Sequence, residues 1–521
     1  MTVEHAPGWN AANSLVQSLA DCGVDTVFGN PGTTEMPLVA ALDDCGRPIK
    51  AVLALHENVC SAAADGFWRT TGRPAATLLH LGPGLTNAAA NLHNARRARS
   101  GLVNIIGEHP SRHLGVDSPL QMPLEILCRA LSDWTGYASD PDGQAQAARQ
   151  AATIASNGKL ATLIVPHDVQ LSPCSPVAAQ PWLMPKRPLS RAKDDVIASL
   201  GRAKRPALLV GGTALCAESL RLAAQVADRC GAAFYVETLF ATMDRGGDLP
   251  EPMRLPYFPE QAVALLAGHD LLLLVGASEP VAFFAYPSVP SRLVPASCTV
   301  VSAATPEEDA ATALMALLDH FAGSHAKPTG FLGKPAGDLA AASTGPLTPQ
   351  SLCAAVASRI PEGGVVVEEG VTTGLAFYGA STNAKRFRHL GLTGGAIGWG
   401  PGASVGAALG SGGPIINLQS DGSGLYLPQA LWTQARHSLP VTTVICRNSR
   451  YRILELELSR AGTTHPGPNA SLMCDIDGMD WPSIARGFGV EAVAVQTVEA
   501  LLSALHHAIA SQGPYLIEAW I

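Results

Sequence analysis

PIINLQSDGSG, residues 414–424, reads as a short buried strand that ends in a glycine-rich turn. A helix-like stretch from Leu427 to Ala435 follows. A second apolar run, Val441 to Cys446, then ends at Arg447-Asn448-Ser449-Arg450. Buried strands joined through a helix pair in parallel, so their carboxyl ends open onto one edge of the sheet, where ligands bind in such folds. That edge would hold the carboxylate of Asp421 and the carboxamide of Asn448. One Asp oxygen, one Asn oxygen and a backbone carbonyl form a partial shell of hard donors. Mg²⁺ takes such a shell when diphosphate oxygens and water complete it. Glycine in the turn lets N–H groups approach a phosphate, and Ser423 has a hydroxyl to donate. Asp-Gly is also a common turn dipeptide. What sets this one apart is the paired Asn448, with 25 residues between it and Gly422.

The same alternation runs through most of the 521 residues. Asp25 to Gly29, Ala76 to His80, Ala207 to Gly211 and Leu271 to Gly276 are short apolar runs, and runs of about four to six residues bounded by Gly or Pro read as buried parallel strands. Ala12 to Cys22 and Ser351 to Ile360 have a helical period. The predicted class is α/β, with parallel sheets and right-handed crossovers. Ser172 to Ser190, with five prolines, and the Gly/Ser/Thr/Pro-rich Ser324 to Pro349 break the pattern. They set three expected domains, 1–175, 190–325 and 345–521, each of ordinary size. The middle one opens on Arg205 to Gly212, a Rossmann-like half without a Gly-x-Gly-x-x-Gly fingerprint.

Composition narrows the function. Hydrophobic residues are 47% and charged residues 15%, enough for large cores and too little charge for a disordered chain. A net charge of −8 without a basic block, and 5% aromatics, argue against a nucleic-acid surface. Eleven cysteines without a Cys-x-x-Cys pair fit neither a zinc site nor a disulfide framework and read as reduced thiols. MTVEHAPGWN lacks the basic and apolar regions of a signal peptide, and His269, Asp270 and Glu279 interrupt the most apolar stretch. The expectation is a soluble cytoplasmic protein with no nucleic-acid or membrane partner.

Near the N-terminus, Phe28-Gly29-Asn30-Pro31-Gly32-Thr33-Thr34-Glu35 is a tight turn after a strand, with Thr33 or Thr34 placed to cap the next helix. Leu53 to Asn58 ends an apolar strand at His56-Glu57 and opens a helix of small residues. Glu57 reads either as a surface carboxylate at a helix start or as a partly buried one that holds a proton more readily. His80 ends the next strand. It is a packing histidine or a proton carrier, since imidazole titrates near neutral pH. Gly394-Gly395-Ala396-Ile397-Gly398 is a glycine-rich turn before a small-residue helix, and Thr372 follows Glu368-Glu369-Gly370, where a helix N-cap also explains it.

Asp421-Gly422-Ser423, the gap and Asn448 together resemble the thiamine diphosphate motif of the 2-oxoacid decarboxylase and acetolactate synthase superfamily, and the whole chain is similar to its benzoylformate decarboxylase-like branch. That motif normally begins Gly-Asp-Gly and ends Asn-Asn; here Ser420 and Arg447 stand at its two ends, and Arg447 would add a cation near the diphosphate. The resemblance implies a pyrimidine-binding, a central Rossmann-like and a diphosphate-binding domain. It implies Mg²⁺ held by Asp421, Asn448 and the carbonyl of Arg450, with Gly422, Ser423 and Thr372 at the diphosphate. Ile397 would be the apolar wedge that bends the cofactor, and the Gly395 carbonyl would bond the aminopyrimidine amine. Asn30 and Pro31 would lie against that ring, and Glu57 would contact its N1′ and so favour formation of the ylide. His80 matches a catalytic histidine, and His113 is a candidate substrate contact.

Departures are visible too. Glu108 stands where acetolactate synthases carry Gln. Ala285 replaces a second catalytic His in the loop Glu279 to Tyr286, whose aromatic residues would shape an apolar pocket or pack between domains. Arg452, Ile453, Leu454 and Glu457 would line the substrate pocket. The resemblance further implies at least a homodimer, with Glu57 of one chain meeting cofactor held by another, and a homotetramer by analogy. The implied reaction adds the cofactor to a 2-oxoacid, releases CO₂ and ends in an aldehyde, or in a hydroxyketone after attack on an aldehyde or ketone acceptor. The alternatives are an acetolactate synthase catalytic subunit, which would bind FAD in the central domain, and a non-catalytic scaffold.

Overall fold

The computed structural model describes residues 8–176, 178, 182–190, 194–286, 289–321 and 344–521. The described residues form three sheets. The first has six strands in the order Lys50–Leu53, Thr26–Asn30, Ala75–Leu79, Leu102–Glu108, Leu160–Pro166 and Trp134–Tyr137, all parallel. The second has five: Met253–Arg254, Ala233–Val236, Pro206–Val210, Leu271–Val275 and Thr299–Ala304, also parallel. These strands are continuous apolar runs because helices cover both faces of a parallel sheet. Leu102–Glu108, Pro206–Val210 and Leu271–Val275 are buried along their whole length.

The third sheet runs Glu491–Val495, Tyr515–Trp520, Val441–Arg447, Ile415–Ser420, Gly364–Glu369, Phe387–Gly391 and Thr242–Arg245. Its last strand comes from the middle of the chain and pairs antiparallel, Phe387 opposite Arg245 and Leu390 opposite Thr242. TMDR has no apolar run, and its role in the third sheet was not legible. Arg245 is fully buried there, bonded to Glu251 at 2.9 Å and stacked 3.7 Å from the Tyr378 ring.

Two small-residue helices weld the first segment to the third. Glu57–Thr71 lies along Gly400–Ser411 with almost no side chain between them. A Cβ on Gly406 would fall 1.7 Å from the carbonyl oxygen of Ala63, and one on Gly66 would fall 2.0 Å from that of Ala403. Beside this seam Asp65 pairs with Arg69 at 2.8 Å, both buried, and accepts the indole N–H of Trp399 at 2.7 Å. Arg69 also donates to the carbonyls of Gly391 at 2.6 Å and Ala241 at 3.2 Å, so one guanidinium ties three segments together. Gly406→Ala forces backbone apart and should cost about 3 kcal/mol. Denaturant unfolding checks this, and an unchanged midpoint would contradict the packing.

Candidate active site

The carboxyl ends of Ile415–Ser420 and Val441–Arg447 are neighbours, paired from Ile415 with Val441 to Ser420 with Cys446. Asp421, buried, opens a short helix at the first end. Its Oδ2 accepts the N–H of Asn448 at 3.0 Å and of Ser449 at 2.7 Å, and its Oδ1 accepts the N–H of Gly422 at 2.9 Å. The spacing read from the sequence therefore brings Asp421 and Asn448 together. Ser449 has φ of 58°, a left-handed turn that doubles the chain back so that the Arg450 N–H reaches Asn448 Oδ1 at 3.0 Å. Burial holds the Asp421 carboxyl above its ordinary pKa even against these N–H donors.

Three features here differ from expectation. Gly422 gives its N–H to Asp421, and its bare Cα admits the Tyr451 ring: a Cβ there would fall 2.4 Å from that ring. Arg447 adds no free cation, because its guanidinium pairs with buried Glu518 at 2.5 Å and lies 3.9 Å from the Trp520 ring. Ser420, at the position of the motif's first Gly, shares a hydrogen bond with Ser423 at 2.5 Å, and Gln419 Nε2 donates to Ser423 at 2.7 Å. If Ser420 is the donor, the Ser423 proton is left to turn toward a phosphate.

The neighbouring strand Gly364–Glu369 ends in two acidic residues. Glu369 accepts the main-chain N–H groups of Gly398 at 2.6 Å, Trp399 at 3.3 Å and Gly400 at 2.6 Å. Burial pushes its pKa up to about 7. The turn it grips carries Ile397, half-buried, and Gly395, whose φ is 76°. A Cβ on Gly395 would fall 2.6 Å from the Phe283 ring, so the aromatic loop reaches this turn. Tyr286 of the same loop donates to Glu457 at 3.0 Å, linking it to the helix Arg452–Arg460. Val371, φ 47°, precedes Thr372, which lies in the first turn of the short helix Val371–Gly374 rather than capping it.

At the first sheet, Asn30 ends its strand and Pro31 follows, both half-buried. Neither threonine caps the next helix. Instead Glu35, fully buried, accepts the Gly32 N–H at 2.8 Å and the Thr34 hydroxyl at 2.7 Å, and lies 2.8 Å from His80 Nδ1. Leu81, directly after His80, has φ of 51°. Leu81, Val371 and Ser449 are thus left-handed residues at strand-to-helix junctions that carry candidate site groups. Strain of this kind collects at functional sites. Glu57 is only 7% exposed, and Asn87 Nδ2 holds its Oε2 at 3.0 Å. His113 sits in the turn Ser111–His113, its ring 5.5 Å from that of His109, and burial raises the pKa of neighbouring Glu108.

Two side chains of the first segment hold the 394–400 turn. The helix Glu57–Thr71 touches the 394–400 turn at Asp65, which bonds Trp399, and the helix Leu81–Ala98 touches it at Asn94, which donates to the Ala396 carbonyl at 2.7 Å. The helix Glu57–Thr71 also lies against Gly402, where a Cβ would fall 3.4 Å from the Val59 carbonyl oxygen.

Four groups were missed. Glu35 had a signal, since it stands three residues after Gly32 at capping-box spacing. Two adjacent acids ending Val365-Val366-Val367 cannot both face water, which hinted at Glu369. Asn87 and Gln419 had none.

The donors present suit a divalent cation and a diphosphate. They are a buried carboxylate, a carboxamide, a backbone carbonyl and a serine hydroxyl on adjacent strand ends. Among the described residues no group of three His, Cys, Asp or Glu side chains forms a rival metal site.

Comparison with known proteins agrees. Residues 9–127 match the N-terminal TPP-binding domain of the thiamine pyrophosphate enzymes, and residues 374–519 match their C-terminal TPP-binding domain. The chain is 43% identical over 518 residues, 98% of each chain, to IlvX of Mycobacterium tuberculosis, which carries the name of an acetolactate synthase large subunit. It is 30% identical to benzoylformate decarboxylase of Pseudomonas aeruginosa, over 95% of this chain and 96% of that one. The thiamine diphosphate-dependent 4-hydroxybenzoylformate decarboxylase of Rhodococcus jostii RHA1 superposes with a TM-score of 0.84 at 26% identity, over 98% of both chains. With cofactor-type strand ends in the first and third sheets and relatives matched along its whole length, the chain belongs to the thiamine pyrophosphate enzymes.

Proposed function

We propose that this enzyme uses thiamine diphosphate and Mg²⁺ to cleave or form a C–C bond next to a carbonyl, by non-oxidative decarboxylation of a 2-oxoacid to an aldehyde or by carboligation to a 2-hydroxyketone. The observation that carries the reading is the Asp421 clamp, a buried carboxylate fixed by N–H groups of the next strand end, beside Asn448. When bound, thiamine diphosphate supplies a nucleophilic carbon and an electron sink, which loss of CO₂ from a 2-oxoacid requires.

The chain's own residues bind, orient and move protons. Asp421, Asn448 and the Arg450 carbonyl would hold Mg²⁺, with Gly422, Ser423 and Thr372 at the diphosphate. Gly395 and Ile397 on one side, and Asn30 and Pro31 on the other, would enclose the rings. Glu57, fixed by Asn87, holds a proton at the pyrimidine nitrogen. Glu35 holds His80 by Nδ1, which leaves Nε2 to exchange a proton with substrate. His113 would stand further out as a substrate contact. Glu35→Gln frees the imidazole to take the other tautomer and should lower kcat about tenfold or more. An unchanged kcat and pH profile would remove Glu35 from the mechanism.

By family analogy a second copy of the chain completes the site, so a homodimer is the smallest active unit and a tetramer the expected assembly. The described residues contain no helix long and apolar enough to cross a membrane, which is compatible with a cytoplasmic enzyme.

The likeness to IlvX favours a second reading, an acetolactate synthase large subunit. In the central sheet, however, a Cβ on Gly211 would fall 2.8 Å from the Glu237 carboxylate, which also lies 3.4 Å from the Gly212 N–H. The Glu237 side chain thus fills the turn and takes an N–H that a flavin dinucleotide phosphate would use, so the simple decarboxylase is the better supported reading. Incubation with aliphatic and aromatic 2-oxoacids, with products read by mass spectrometry, decides between them. Aldehyde supports the decarboxylase, acetolactate the synthase, and no product from any 2-oxoacid would refute both.

A further inference from the structure

Resting on the cofactor assignment above, we infer that Glu369 is the positioning residue that ties the two cofactor-holding loops, 394–400 and 420–424, into one unit. Its carboxylate closes three successive main-chain N–H groups of the first loop, Gly398, Trp399 and Gly400, immediately after Ile397. Its Oε2 also accepts Gln419 Nε2 at 3.1 Å, and the same Gln419 amide donates to Ser423 in the second loop at 2.7 Å. One path of hydrogen bonds thus runs from the turn that carries the apolar wedge, through Glu369 and Gln419, to the serine expected at the diphosphate.

The packing leaves no slack in this path. A Cβ on Gly400 would fall 2.3 Å from Gln419 Oε1 and 3.0 Å from Glu369 Oε2. Trp399 is fully buried, and Asp65 holds its indole N–H at 2.7 Å, so the turn is gripped from the first segment as well. Three N–H donors converging on one carboxylate make a charge-assisted cradle, stronger than neutral hydrogen bonds. Its geometry resembles an anion site already filled by the protein's own side chain. Burial raises the Glu369 pKa to about 7, as expected for a carboxylate whose partners are dipoles and not cations.

A residue that only stabilised the fold would lower thermal stability when replaced and leave cofactor affinity alone. A positioning residue would lose thiamine diphosphate affinity selectively. The test uses the full chain stripped of cofactor and titrates thiamine diphosphate with Mg²⁺ in excess, read by tryptophan fluorescence and by the rise in Tm. Glu369→Gln, which keeps the volume and removes the charge, should bind about tenfold more weakly or worse. Gln419→Leu, which cuts only the link between the loops, should weaken binding about fivefold. A folded Glu369→Gln protein that binds within about twofold of the unmodified chain overturns the inference. If Glu369→Gln does not fold, Gln419→Leu decides by the same criterion. Failure of the unmodified chain to bind thiamine diphosphate would instead bring down the cofactor assignment itself.

Discussion

Glu57→Gln should reduce CO₂ release by about 10²- to 10⁴-fold, the range for loss of a general acid–base group, while the protein stays folded and still binds thiamine diphosphate. Glu57 starts the helix Glu57–Thr71 and is 7% exposed. Asn87 fixes its Oε2 at 3.0 Å. Glutamine keeps the shape and can still accept from Asn87 through its carbonyl oxygen. What it loses is the proton the carboxyl would hold against the pyrimidine ring. The substitution also strands no cation, because none is paired with Glu57 in the described structure. The check is steady-state CO₂ release at saturating cofactor, beside Tm. Turnover equal to that of the unmodified enzyme would take Glu57 out of the chemistry.

Asp421→Ala should abolish Mg²⁺-dependent binding of thiamine diphosphate, a loss of at least about 100-fold. Two effects add. The only carboxylate among the proposed metal donors disappears. The N–H groups of Gly422, Asn448 and Ser449 also lose their acceptor. A buried N–H left unpaired costs about 1–3 kcal/mol, so the turn that presents Asn448 should loosen as well. The two variants separate by observable: Glu57→Gln binds and does not turn over, whereas Asp421→Ala does not bind. Calorimetric titration with Mg²⁺ present and absent reads the difference. Unaltered affinity in Asp421→Ala would move the metal elsewhere.

Much of this was legible because buried parallel strands announce themselves. Leu271 to Gly276 was read one residue longer than the observed Leu271–Val275, and Ala76 to His80 lies one residue from Ala75–Leu79. The Asp421–Asn448 pair was legible for a related reason. A strand, a helix and a strand of ordinary lengths put two sequence-distant residues on one edge, so a fixed spacing encodes a spatial meeting. Bonds between distant segments have no such periodic signature. Arg447 looked like a free cation until Glu518, far along the chain, proved to hold it. Glu35, Asn87 and Glu369 act through partners that no local pattern names. The strand Thr242–Arg245 is short, lies at the edge of a sheet built by other segments, and buries Arg245 only because Glu251 holds it.

The central claim is thiamine diphosphate-dependent cleavage of a 2-oxoacid, and its most direct test is CO₂ release from aliphatic and aromatic 2-oxoacids with thiamine diphosphate and Mg²⁺ supplied or withheld. The account predicts release that saturates with cofactor, stops when either component is removed and returns when both are restored. CO₂ release indifferent to thiamine diphosphate, or none from any 2-oxoacid by a chain that binds the cofactor saturably, would contradict it.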